Sequence, residues 1–224
     1  MERDEKILSC IDSTLLHPCA NRQAIQDFCQ ETIEHGFRTV FVNPCWIPEA
    51  VRLLQPQGVK VGVPIGFSLG GATTAIKVAE TQEALAAGAE EFDMLINLGA
   101  LKSGEYDWVE NDIRAVVQAA DGHLTKVIIE TALLSQEERA TACRLIIDAG
   151  AHYVKTATGF NGGGATLADI QYLKSIVGDK IKIKAAGGIR SWADACAMID
   201  AGASRIGTSN AVKLLEGRKI HGGY

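Results

Sequence analysis

Stretches with apolar residues at helical spacing alternate along this chain with short runs rich in Val, Ile and Leu. The joint between the two recurs. A helical stretch ends at a glycine and a β-branched run follows within a few residues, at Gly36, Gly58, Gly88, Gly122, Gly150, Gly178 and Gly202. Glycine suits that place because the residue after a helix often takes the left-handed conformation, which costs a residue bearing a Cβ. The runs RTVFVN, KVGVPIGF, EFDMLIN, KVIIET, YVKTATG, KIKAA and RIGTS read as strands. Several are nearly continuous in apolar residues, as expected of parallel strands covered by helices. With the early segment Cys10 to Leu16 they make eight. The helices between are legible at Ala24 to His35, at Thr73 to Ala87, and at Gln136 to Ala149, which opens after Ser135 with Glu137 and Glu138 in its first turn. The pattern predicts one (β/α)8 TIM barrel domain over residues 1–224, with a short N-terminal helix near Glu5 to Leu8 and a flexible C-terminal tail. A doubly wound sheet is disfavoured, because no G-x-G-x-x-G follows the first strand.

Composition narrows the function classes. The chain has 224 residues, 47% of them hydrophobic and 22% charged, which is ordinary for a folded globular protein. Its net charge of −5 lacks the basic footprint of a nucleic-acid binder, so an anionic ligand must be met by a local patch. No stretch is long and apolar enough for a membrane helix, and the acidic N-terminus does not read as a secretory signal. A cytoplasmic location is expected. The six cysteines form no C-x-x-C pair and the histidines no H-E-x-x-H, so reduced thiols and metal-free chemistry without a cofactor are the expectation.

Charged residues inside strand runs are the informative ones, because the active site of such a barrel lies at the strand C-termini. Asp93 in EFDMLIN, Lys155 in YVKTATG and Lys184 in KIKAAGG are each flanked by residues that read as core. Ionised groups there are costly unless paired. Each one alone could simply be a buried ion pair; three on different strands point to a site. Two lysines and one aspartate leave excess positive charge, which pushes one lysine toward the neutral amine. A neutral buried amine attacks a carbonyl to form a Schiff base, whose iminium is an electron sink for breaking a C–C bond. Asp93 would carry protons to and from the reacting hydroxyl. Which lysine is the nucleophile stays open on these grounds. Lys182, two residues before Lys184, reads as structural.

A phosphate site is the second signal. The loop Gly159 to Gly164 follows the sixth strand, Gly187-Gly188 follows the seventh, and Gly207-Thr208-Ser209-Asn210 ends the eighth. Glycines let backbone N–H groups approach a phosphate, and loops after strands 7 and 8 are the usual phosphate cradle of such barrels. Weaker candidates are Asp12 and His17 on the first strand and its loop, and Cys45, which has no nearby base in sequence. Trp46, Trp108 and Trp192 read as packing residues.

Taken together, IDSTLLHP, VFVNPCWIP, VGVPIGFSLGG, EFDMLINLGALKSG, KVIIETALL, VKTATGF, IKAAGGIR and IGTSNA resemble the deoxyribose-phosphate aldolase family of class I, Schiff-base aldolases, over nearly the whole chain. The resemblance implies Lys155 as the Schiff-base lysine, Lys184 as the second lysine and Asp93 as the strand aspartate. It implies phosphate contacts at Gly159, Gly187, Gly188, Gly207 and Ser209. Asn210 stands where some members have serine, which leaves its contact with phosphate unassigned. Some members carry a C-terminal tyrosine that assists proton transfer, which makes Tyr224 a secondary candidate beside Asp12. The implied partners are a small sugar phosphate and an aldehyde, with no nucleic acid and no membrane, and a homo-oligomer such as a dimer. The alternatives are a barrel aldolase with a different donor, such as a dihydroxyacetone-phosphate user, and a catalytically silent barrel that binds a sugar phosphate.

Overall fold

The computed structural model describes residues 2–217. It begins with α1 (Glu2–Leu8) and the opening strand β1 (Ile11–Leu15), followed by α2 (Arg22–Glu34), β2 (Thr39–Val42), α3 (Ile47–Leu54) and β3 (Lys60–Ile65). Next come α4 (Thr74–Ala86), β4 (Glu91–Leu95), the helix pair α5 (Leu98–Lys102) and α6 (Tyr106–Ala119), and β5 (Leu124–Ile128). The chain continues through α7 (Gln136–Asp148), β6 (Tyr153–Lys155), α8 (Leu167–Val177) and β7 (Lys182–Ala186) to α9 (Trp192–Asp200), β8 (Arg205–Thr208) and α10 (Ala211–Leu215). The eight strands are all parallel and close in sequence order, β8 pairing with β1 through Ile11 opposite Ile206. This is the expected (β/α)8 barrel. The first helix starts three residues earlier than its sequence pattern predicts, and the expected C-terminal tail lies outside the described residues.

Local chemistry sets the elements. All seven joint glycines have positive φ, from +54° at Gly178 to +120° at Gly202, so each turns the chain from a helix back toward the barrel. Helix starts are capped by side chains: Asn21 before α2, Thr73 before α4, and Ser191 before α9 accept from the backbone, and Ser135 and Thr166 form reciprocal capping boxes with Glu138 and Asp169. Each such cap is worth about 1 kcal/mol.

Strand side chains alternate between two environments. The outward set, including Val40, Val61, Val63, Phe92, Met94, Val127, Val154, Ile183 and Ile206, packs under the helices as the apolar core. The inward set is polar and charged: Asp12 on β1, Glu91 and Asp93 on β4, Lys126 on β5, Lys155 on β6, Lys184 on β7 and Arg205 on β8. The apolar core is therefore a ring between strands and helices. One further buried ion pair, Lys77 of α4 with Asp112 of α6, lies in that ring, where Lys77 Nζ also donates to the Leu95 carbonyl at 3.1 Å. Of the three tryptophans, Trp46 and Trp192 pack against the core as expected, while Trp108 is exposed.

Candidate active site

The inward charges meet in two connected groups. Asp93 Oδ2 accepts from Lys155 Nζ at 2.9 Å and from Lys184 Nζ at 2.8 Å. Its Oδ1 lies 3.0 Å from Lys126 Nζ, an ion-pair contact without hydrogen-bond alignment. Lys126 in turn donates to Glu91 at 2.6 Å, and Arg205 bridges Glu91 and Asp12. Asp12 Oδ2 stands 2.6 Å from Lys184 Nζ. Four cations (Lys126, Lys155, Lys184, Arg205) thus face three carboxylates (Asp12, Glu91, Asp93), leaving one positive charge over.

That imbalance and burial act on the titrations. Burial is the largest influence on Lys155; with the neighbouring ammonium groups of Lys184 and Lys126 it outweighs the pull of Asp93 and pushes Lys155 down to about 8. Burial opposes ionisation of Asp93 too, but the three lysines around it win and hold its carboxyl well below the usual range. For Asp12, burial is likewise overcome by Lys184, Lys126 and Arg205, and its pKa is lowered. Lys126 is held above the ordinary lysine range, because Asp93, Asp12 and Glu91 together exceed the cost of its burial.

A cavity of about 280 Å3 opens above this cluster at the C-terminal ends of the strands. Asp93, Lys155, Gly159, Gly187, Gly188, Gly207, Ser209 and Asn210 line it. Of the three lysines around Asp93, Lys155 alone reaches the cavity wall and is 7% exposed, whereas Lys184 is 1% and Lys126 0% exposed. Phe41 packs against the lysines of the cluster. Its ring centroid is 3.8 Å from Lys184 Nζ, 4.6 Å from Lys126 and 5.8 Å from Lys155, and it occupies the space left by its β3 neighbour Gly62.

The glycine loops are close-packed against one another. A Cβ on Gly164 would stand 2.7 Å from the Gly187 carbonyl carbon, and Ala165 N–H donates to the carbonyls of Ala186 and Gly187, so the loops after β6 and β7 form one wall. Gly207 has a different local reason to be glycine: a Cβ there would meet Lys184 Cε at 3.0 Å. Asn210 turns its amide toward Ser209 Oγ at 3.1 Å.

Several expectations need correction or addition. Asp12 does not line the cavity; it is fully buried beneath it and contacts Lys184. His17 holds a turn by accepting from Cys19 N–H, Cys45 is an exposed free thiol, and Lys182 is exposed at the start of β7 beside the Tyr153 ring. Tyr224 lies outside the described residues. Sequence reasoning missed Glu91, Lys126 and Arg205 in the interior, and Thr14, Phe41, Thr158 and Arg190 on the cavity wall. Arg190 had a signal, being the basic residue two places after the Gly187-Gly188 pair.

A (β/α)8 barrel whose strand ends gather a cavity-facing lysine of lowered pKa, a shared carboxylate and glycine-rich loops has the makings of a class I aldolase. The chain belongs to the DeoC/LacD family of aldolases, whose model matches residues 7–222. It is 57% identical to deoxyribose-phosphate aldolase 2 of Oceanobacillus iheyensis, over 100% of both chains. Among solved structures it is similar to the aldolase QR15, at 39% identity and a TM-score of 0.91 over 94% of each chain. It is also similar to the tetrameric deoxyribose phosphate aldolase of Aeropyrum pernix, at 35% identity and a TM-score of 0.90, covering 96% of this chain and 92% of that one. Among the described residues no helix is long and apolar enough to cross a membrane.

Proposed function

We propose that the protein cleaves 2-deoxy-D-ribose 5-phosphate reversibly to D-glyceraldehyde 3-phosphate and acetaldehyde, with Lys155 as the Schiff-base nucleophile. The observation that carries this reading is that Lys155 combines access to the cavity with a pKa pushed down to about 8. At that value about one amine in ten is unprotonated at pH 7, against about one in 2,500 at the ordinary lysine value.

In the cleavage direction, Lys155 Nζ adds to C1 of the open-chain sugar and water leaves, giving the iminium. Asp93, ionised and 2.9 Å from Nζ, stabilises that cation and moves the protons of the addition step. Removal of the C3 hydroxyl proton sends the C2–C3 electrons into the iminium. Glyceraldehyde 3-phosphate departs and the enamine remains. Asp93 is too weak a base to keep the proton it draws from that hydroxyl, so the proton is passed on through water. Protonation of the enamine at C2 and hydrolysis release acetaldehyde and restore Lys155. Lys184, on the same Asp93 oxygen, keeps a cation beside Lys155 and so favours its neutral form.

The phosphate is assigned to the backbone N–H groups of the wall formed by Gly159, Gly187, Gly188 and Ser209, with the Arg190 guanidinium beside it. The reading treats the chain as one catalytic domain, in a homo-oligomer such as a dimer, acting on small molecules in the cytoplasm, where its free cysteines stay reduced.

Borohydride reduction in the presence of acetaldehyde, followed by peptide mass mapping, tests the assignment. The expected product is a two-carbon adduct on Lys155, together with acetaldehyde release from deoxyribose 5-phosphate. An adduct on another residue, no adduct, or turnover only with a dihydroxyacetone-phosphate donor would refute it.

A further inference from the structure

Phe41 lines the cavity, yet the mechanism gives it no part. It stands on β2, and β2 and β6 are four strands apart in the closed eight-stranded barrel, so Phe41 faces Lys155 across the barrel. The centre of its ring is 5.8 Å from Lys155 Nζ. The ring has no room to withdraw. It already fills the space over Gly62, its partner in the β2–β3 register, where an added Cβ would overlap the ring. Lys184 Nζ lies 3.8 Å and Lys126 Nζ 4.6 Å from its centre, and the residue is 2% exposed.

The imine that forms on Nζ is planar, and its C1 carries two substituents splayed to opposite sides of the C=N bond. With an aldehyde, one is C2, from which the sugar runs back to the phosphate wall on the β6 to β8 side, and the other is a hydrogen. That hydrogen points to the other side of the cavity, where Phe41 of β2 and Pro64 of β3 stand. A ketone puts a carbon there instead. Bond lengths place that carbon about 2.5 Å from Nζ and so about 3.3 Å from the ring centre along the line to Phe41, inside the contact distance of about 3.5–4.0 Å between carbons. The shorter bond to hydrogen leaves the contact open.

We propose that Phe41 is a specificity-determining residue that restricts the carbonyl donor to aldehydes, by occupying the space that the second carbon substituent of a ketone needs. The proposal rests on the aldolase reading given above, with Lys155 as the Schiff-base lysine and the phosphate on the glycine wall. A pocket wall that discriminates by one carbon is worth about ten- to 200-fold.

Cyanoborohydride trapping of acetaldehyde and of acetone on the same protein tests it. Nζ adds to the carbonyl carbon, water leaves, and hydride from the reagent fixes the imine as N-ethyl- or N-isopropyl-lysine. The ratio of the two rates cancels any change in Lys155 protonation that a substitution brings. Compared with the same ratio for a simple primary amine in water, the wild type should favour acetaldehyde by a further factor of about ten to a hundred. Phe41→Ala should give back at least about tenfold of that preference and Phe41→Leu a smaller part, with both adducts on Lys155 by peptide mapping. A wild-type ratio equal to that of the free amine would overturn the proposal whether or not the variants fold. A ratio unchanged in both variants, or acetone captured on a lysine other than Lys155, would overturn it too. A wild-type protein that traps neither compound would instead refute the aldolase reading, and the proposal would fall with it.

Discussion

Replacing Lys184 by methionine removes one of the two ammonium groups on Asp93 Oδ2 while keeping most of the side-chain volume. In the wild type four interior cations face three carboxylates, and releasing the Lys155 proton balances them. In the variant the count is three against three with Lys155 still protonated, so the force expelling that proton is lost. Full return to an ordinary lysine value of about 10.4 would lower the neutral fraction at pH 7 from about one in ten to about one in 2,500, a loss of about 250-fold. Burial is the larger cause of the lowered pKa and persists in the variant, so the shift should stop short of that limit. The expected loss at pH 7 is about ten- to hundredfold. The assay is the second-order rate of iminium formation with acetaldehyde, trapped by cyanoborohydride and measured from pH 6 to 10. Wild type should rise through a midpoint near 8, and Lys184→Met should rise through a higher one, so that the two rates converge at the alkaline end. A loss of constant size at every pH, or an unshifted midpoint, would refute the charge-balance argument.

The same lowered pKa has a thermodynamic consequence. A lysine whose folded pKa lies below its unfolded value weakens the fold wherever it is protonated, and that cost disappears as pH rises from about 8 toward about 10.4. Lys155→Met should therefore raise stability by about 1–3 kcal/mol at pH 7 in urea denaturation while abolishing turnover, with the gain shrinking toward pH 10; a variant less stable than wild type at pH 7 would contradict it. On the cavity wall, Arg190→Ala should raise KM for deoxyribose 5-phosphate about three- to tenfold and leave the reaction of unphosphorylated 2-deoxyribose unchanged. Equal effects on both substrates would remove Arg190 from the phosphate end.

How far the site was legible follows from where each charge sits in its strand. Asp93, Lys155 and Lys184 interrupt apolar runs and announce themselves. Glu91, Lys126 and Arg205 stand at or near the beginnings of their runs, where a charge ordinarily marks a solvated strand end. Parity does not rescue them: Glu91 precedes Asp93 by two residues as Lys182 precedes Lys184, yet Glu91 is fully buried and Lys182 is exposed. The difference is depth, set by the stagger of neighbouring strands, with Glu91 opposite Leu124 and Lys182 opposite Tyr153. Stagger is a property of the closed barrel that no single strand encodes. Phe41 escaped for the same reason, since its inward role depends on finding Gly62 opposite it on β3. The charge argument nevertheless survived. The unrecognised Lys126, Arg205 and Glu91, together with Asp12, contribute two cations and two anions to the interior, so the single excess positive charge read from Asp93, Lys155 and Lys184 is unchanged. What the structure adds is which lysine bears the consequence, because Lys184 is buried against Phe41 and Lys155 is the one that meets the cavity.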